Sequence, residues 1–133
     1  MKYKQALVIS GLISSLAVVA YAANPLRTHM KAMETSFKCL QKKTQLTYSC
    51  QSDPLEVANM AKEESTCESL VSSYFAEVPA DMAKDVVARF TELKALIKDL
   101  GVAVQTGNEA AREDITNKII SLRESSHDKY QTN

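Results

Sequence analysis

The chain is poor in residues that interrupt helices. It has three prolines and three glycines in 133 residues, and one glycine, Gly11, lies inside an apolar N-terminal stretch. Positive charge is not in excess: 16 Lys and Arg face 16 Asp and Glu, so the composition does not point to nucleic acid or an anionic membrane surface as a partner. There is no internal repeat, low-complexity tract or charged tail. Cysteine is limited to Cys39, Cys50 and Cys67, whose spacings fit no common metal signature and include no Cys-x-x-Cys-His. Histidine is limited to His29 and His127.

The one long apolar run stands at the start. Met1-Lys2-Tyr3-Lys4 is followed by an apolar stretch from Ala6 to Ala20 and then by Ala20-Tyr21-Ala22. A basic lead, a short apolar middle and a small-x-small ending predict a signal peptide over 1–22, cleaved before Ala23. The run is short for a membrane span and broken by Gly11, Ser14 and Ser15, so stable membrane insertion is not expected. The mature segment, 23–133, is the size of one small domain, with a net charge of −2 once Lys2 and Lys4 are set aside. Export to an oxidising compartment permits one disulfide and leaves one thiol over. If the first helix extends to about Cys50, Cys39 and Cys67 lie at similar distances from the first interhelical turn, which favours a Cys39–Cys67 bond.

The remaining breakers mark turns. Asp53-Pro54-Leu55-Glu56 reads as an N-cap, a proline at the first helical position and a capping-box partner. Val78-Pro79-Ala80-Asp81 is the next break, with Asp81 as N-cap. Thr106-Gly107-Asn108 is the last, with Gly107 ending one helix and Asn108 capping the next. Gly101 falls inside an apolar stretch and is expected to weaken the end of the third helix. Four segments result, 25–48, 54–77, 81–105 and 108–131. Their apolar residues step by three and four, as in Met82, Val86, Phe90, Leu93, Ile97, Leu100 and Val104. Long amphipathic helices with short turns predict an all-α, antiparallel up-down-up-down four-helix bundle.

In such a bundle the first and last helices lie side by side and run oppositely, which sets Met33 and His127 at the same end. A thioether facing an imidazole across a helical core is a set of axial ligands for haem iron. Each residue also has a plainer role, Met33 as core filler and His127 as a partner of the helix C-terminus. The same end gathers Val71, Tyr74, Phe75, Met82, Val86 and Phe90, the apolar and aromatic surroundings that a macrocycle needs. His29, one turn before Met33, is expected at the rim. Glu124-Ser125-Ser126-His127 is a Glu-x-x-His of the di-iron bundle type, but Leu26 stands three residues before His29, so the second such motif is missing.

Met33-Glu34-Thr35 in the first helix, the Thr106-Gly107-Asn108 turn, and Leu122-Arg123-Glu124-Ser125-Ser126-His127-Asp128-Lys129-Tyr130 at the end together resemble the cytochrome b562 family. The similarity spans 23–133 and is strongest from Phe90 to Tyr130. It implies a periplasmic protein with one non-covalent haem b per chain. Met33 and His127 match the family's axial ligands, Phe90 a pocket aromatic, and Arg123 the arginine one turn before the histidine. Phe37 and Val86 complete the expected cofactor contacts. The related cytochromes c′ attach haem through Cys-x-x-Cys-His, where this chain has Arg123 and Ser126 in place of the cysteines; Phe37-Lys38 is closer to that branch. The family's type member has no cysteines.

With protein atoms on both axial positions, iron has no open site for a substrate. The expected role is one-electron transfer without enzymatic activity, at a potential raised by the methionine. Arg27, Lys31, Arg123 and Lys129 are candidates to face the haem propionates. A monomer serving an unidentified periplasmic redox partner is expected. Two alternatives stay open: a gas-binding or haem-sensing relative of cytochrome c′ with a weak Met33 bond, and a haem-free periplasmic helical binding protein.

Overall fold

The computed structural model describes residues 24–41 and 49–130. The expected signal peptide and its cleavage site lie outside the described residues, as does the 42–48 part of the first predicted segment. Four helices succeed one another: α1 (Asn24–Gln41), α2 (Asp53–Ser72), α3 (Ala80–Thr106) and α4 (Glu109–Tyr130), with a single 3₁₀ turn, Phe75–Glu77, before α3. Close packing runs in sequence order, α1 on α2, α2 on α3 and α3 on α4. No helix among the described residues is long and apolar enough to cross a membrane.

The turn chemistry explains most of the boundaries. Gly107 adopts φ 70°, the left-handed conformation that costs glycine little, and its amide closes α3 onto the carbonyls of Ala103 and Val104. Asn108 then caps α4, accepting the Ala111 N–H at 3.0 Å. Two caps fall one or two residues from their expected places. Ser52, not Asp53, is the N-cap of α2, and the Glu56 carboxylate accepts the amide of Gln51 at 2.7 Å. Pro79, not Asp81, caps α3, so Asp81 joins the first turn, where its charge suits the helix dipole. Gly101 does not end its helix. It lies where α3 approaches α2 so closely that a Cβ would stand 3.2 Å from Val57 Cγ1.

The core fills one end only. Among the described residues, every side chain under 9% exposure lies in the C-terminal halves of α1 and α3, the N-terminal half of α4, or α2 as far as Cys67. Phe37, Leu40, Met60, Leu96, Ile97, Leu100, Ile115 and Ile119 pack together there. Arg112 ties the first helix to the last. Its guanidinium, 6% exposed, donates to the Leu40 carbonyl from Nη2 at 2.6 Å and from Nε at 3.1 Å, and to Asp53 Oδ2 from Nη1 at 2.9 Å. A buried guanidinium thus finds charge-assisted acceptors on both the first and the second helix.

The disulfide closes this same end and corrects the expected pairing. Cys39 is bonded to Cys50, with Cα atoms 5.6 Å apart, and Cys67 is a buried free thiol. Cys50 precedes α2 instead of extending α1, so the chain brings it back beside Cys39. Cys67 is far along α2: Glu63, one turn before it, meets His29, which is ten residues or about 15 Å of helix before Cys39.

Candidate functional site

The opposite end of the bundle is built differently. It comprises the N-terminal half of α1, the end of α2, the N-terminal half of α3 and the C-terminal half of α4. No described residue of 25–35, 68–95 or 120–130 is fully buried. Apolar side chains are plentiful here, yet Leu26, Met33, Leu70, Val71, Phe75, Met82, Val86 and Phe90 are all only half-buried. Apolar surface gathered at one end of a bundle without a closed core over it is a place where a ligand or partner gains by binding.

The expected site residues divide between the two ends. Met33 is half-buried against the edge of the closed core, and Val86 and Phe90 are half-buried on α3. Phe37, expected beside the cofactor, is instead part of the closed core at 3% exposure, since it lies one turn deeper along α1 than Met33. Arg123 reaches from α4 to Glu34, the residue after Met33, with 3.4 Å between Nη1 and Oε2. His127 comes four residues after Arg123, hence on the same ridge of α4, and is exposed. The ridge that bears Arg123 and His127 therefore runs beside the part of α1 that bears Met33. His29 is not a free rim residue: its Nδ1 is bonded to Glu63 of α2.

Near its C-terminal end a polar knot fixes α4 to α3. Arg89 donates from Nε to Asp85 Oδ2 at 3.0 Å and from Nη1 to the hydroxyls of Ser126 at 2.9 Å and Ser125 at 3.2 Å. Tyr130 donates its hydroxyl to Asp85, and Lys129 Nζ lies 3.3 Å from the same carboxylate oxygen. Burial works against the Asp85 charge, but the hydrogen bonds from Tyr130, Arg89 and Lys129 outweigh it and bring its pKa down to about 2. Burial, and then Asp85, push the Tyr130 hydroxyl above its ordinary value. Lys129, expected to face a propionate, is engaged in this knot.

A thioether sulfur, an imidazole and uncovered apolar and aromatic side chains occur at one end, flanked by Arg123, and those are the groups that hold a non-covalent haem. The first and last helices, which bear the two donors, are not among the pairs packed backbone to backbone; Arg112 and Arg123 bridge them instead. The exposed His127 ring has to turn inward to serve. Met33 and His127 line neither of two clefts found between α2 and α3 and between α3 and α4. Among the described residues, the one grouping with the spacing of metal ligands is Cys39, Cys50 and Glu56, and its two sulfurs are consumed by the disulfide.

Three features escaped the sequence reading: Arg112, Glu64 and the Asp85 knot. The signal for the first two was present. Arg112 stands on the stripe that continues through Ile115 and Ile119, and Glu64 on the stripe of Met60 and Cys67, so both are charged residues at core positions of a helical repeat. No family model, no curated protein and no solved structure matches the chain.

Proposed function

We propose that this protein is a periplasmic electron carrier that holds one non-covalent haem b between α1 and α4, with Met33 and His127 as axial ligands. The observation that carries the reading is the contrast in burial. The end that bears both donors is the end whose apolar side chains lack a closed core. When bound, haem would supply one-electron chemistry, with Met33 and His127 as the residues that would hold it. The remaining work belongs to the chain. Met33 presents a neutral thioether, which favours the ferrous state. Val86 and Phe90 keep water from the macrocycle face. Arg123, held by Glu34, sets positive charge beside the ligand-bearing turn. The Asp85 knot keeps α4 in place while its last turns carry His127.

The test is an optical titration of the purified protein with haemin, oxidised and reduced. Saturable one-to-one binding with a low-spin ferrous spectrum supports the reading. Met33→Ala is expected to retain haem but turn high spin, and His127→Ala to lose most haem. An unchanged low-spin spectrum in Met33→Ala rejects Met33. Absence of saturable binding to the parent protein rejects the proposal altogether.

A further inference from the structure

Away from the proposed haem end, the disulfide has a carboxylate beside it. Cys39 on α1 is 8% exposed and Glu56 on α2 is 4% exposed, while Cys50 is exposed in the short stretch that leads into α2. The two sulfurs and a Glu56 carboxylate oxygen all lie within 4.8 Å of one another. The Gln51 N–H, next in the chain to Cys50, donates to Glu56 Oε2 at 2.7 Å and holds the carboxylate in this place. That bond closes the start of α2 and leaves the carboxylate with further lone pairs to offer.

A disulfide is reversible, and the exposed sulfur is the one an incoming dithiol can reach. Its thiolate attacks Cys50 Sγ, the bond to Cys39 breaks, and the Cys39 sulfur leaves with the electron pair and takes up a proton. The second thiol of the donor then attacks the mixed disulfide and releases Cys50. The donor ends as a disulfide, and Cys39 and Cys50 end as thiols beside Glu56. Three donor groups now converge on one point, and two of them are soft sulfurs, which select a thiophilic ion such as zinc over magnesium or calcium. Binding one divalent ion displaces the two thiol protons to solvent, and the ion offsets three negative charges that would otherwise repel one another.

The backbone suits both states. Helices α1 and α2 fix Cys39 and Glu56, whereas Cys50 lies outside a helix with its Cα 5.6 Å from that of Cys39. A small shift of that stretch gives the sulfurs the separation of about 3.8 Å that two thiolates take on one tetrahedral ion. Cys67, buried farther along α2, stands outside the grouping. We propose that the reduced protein binds one thiophilic divalent ion of the zinc class through Cys39 Sγ, Cys50 Sγ and a Glu56 carboxylate oxygen, with water at the fourth corner, and that exchange with a disulfide donor closes Cys39–Cys50 and releases the ion. Neither Met33 nor His127 takes part, so haem binding and this site are tested separately.

The test titrates cadmium and zinc into the purified haem-free protein, once oxidised and once reduced and freed of reductant without air. The expected result is a thiolate-to-cadmium charge-transfer band that saturates at one ion per chain in the reduced protein and is missing from the oxidised one. Zinc should raise the unfolding midpoint of the reduced protein alone and protect Cys39 and Cys50 from alkylation. Glu56→Gln, which can still accept the Gln51 N–H, should bind roughly tenfold more weakly or worse. X-ray absorption of the zinc-loaded parent should show two sulfur neighbours at about 2.3 Å, with oxygen in the remaining positions. No saturable band in the reduced protein overturns the proposal. So do equal binding by the oxidised protein, alkylation of Cys39 and Cys50 that zinc does not slow, three or more sulfurs on the ion, or an undiminished affinity in Glu56→Gln. The measurements on the parent protein decide the matter even if the variant does not fold.

Discussion

The two ends of this bundle use the same helices and similar apolar residues, yet one is closed and the other open. At the closed end Leu40, Met60 and Leu100 are almost wholly inaccessible, a disulfide joins the end of α1 to the approach of α2, and Arg112 ties α4 to both. At the open end no described side chain is fully buried, and the helices are held apart or together by exposed and half-buried polar contacts such as Arg123 with Glu34 and Arg89 with Ser126. The difference teaches where stability and function reside. Burial and cross-linking at one end supply the free energy of folding, which frees the other from having to pack against itself.

The comparison can be broken most sharply at Arg112. Arg112→Ala removes the buried donor shared by the Leu40 carbonyl and the Asp53 carboxylate and should cost about 3–5 kcal/mol in denaturant unfolding. A loss under about 1 kcal/mol would mean that the closed end does not depend on it. Matched truncations come next. Leu100→Ala should cost about 3 kcal/mol and Phe90→Ala about 1 kcal/mol in haem-free protein, because only the first empties a filled core. Equal losses would erase the distinction between the ends. Reduction of Cys39–Cys50, which spans a sequence separation of 11, should lower stability by about 2–3 kcal/mol, read as a shifted unfolding midpoint with and without reductant.

The smallest effect depends on pH. Burial, and then Glu68, push the Glu64 carboxyl up to about 7. A folded-state value above the ordinary one means that protonated Glu64 favours the fold. That contribution is complete below pH 4.5 and is lost as pH rises through 7. Glu64→Gln, which stays neutral, should therefore differ little from the parent at pH 4 and be more stable by about 2 kcal/mol at pH 8. Parallel stability profiles for the two proteins would show that Glu64 does not titrate in that window.

The helices were legible because their signals are local. The steps of three and four from Met82 to Val104 and the Gly107-Asn108 pair mark a helix and its end without help from the rest of the chain. Caps slipped at Ser52 and Pro79 because neighbouring residues can each start a helix and the choice falls to tertiary contacts; Asp53 is drawn away by Arg112. The cysteine pairing was not legible, since it turns on where the chain leaves α1, and spacing alone does not record that. At the site, the sequence set Met33, Val86, Phe90, Arg123 and His127 toward one end. It could not assign Phe37 to the closed core or foresee that the His127 ring stands exposed, because a one-turn difference in depth separates lining from filling.

The third cysteine has a consequence for the route to the native chain. Three thiols allow three different bonds, and only one of them is found. Burial, with Glu63 and Glu64 beside it, pushes the Cys67 thiol up to about 12, so it carries almost no thiolate with which to attack a neighbour's bond. Packing α2 against its neighbours before oxidation therefore removes Cys67 from competition, whereas oxidant that arrives while α2 is still loose has all three to choose from. The yield of correctly bonded protein becomes a race between helix docking and oxidation.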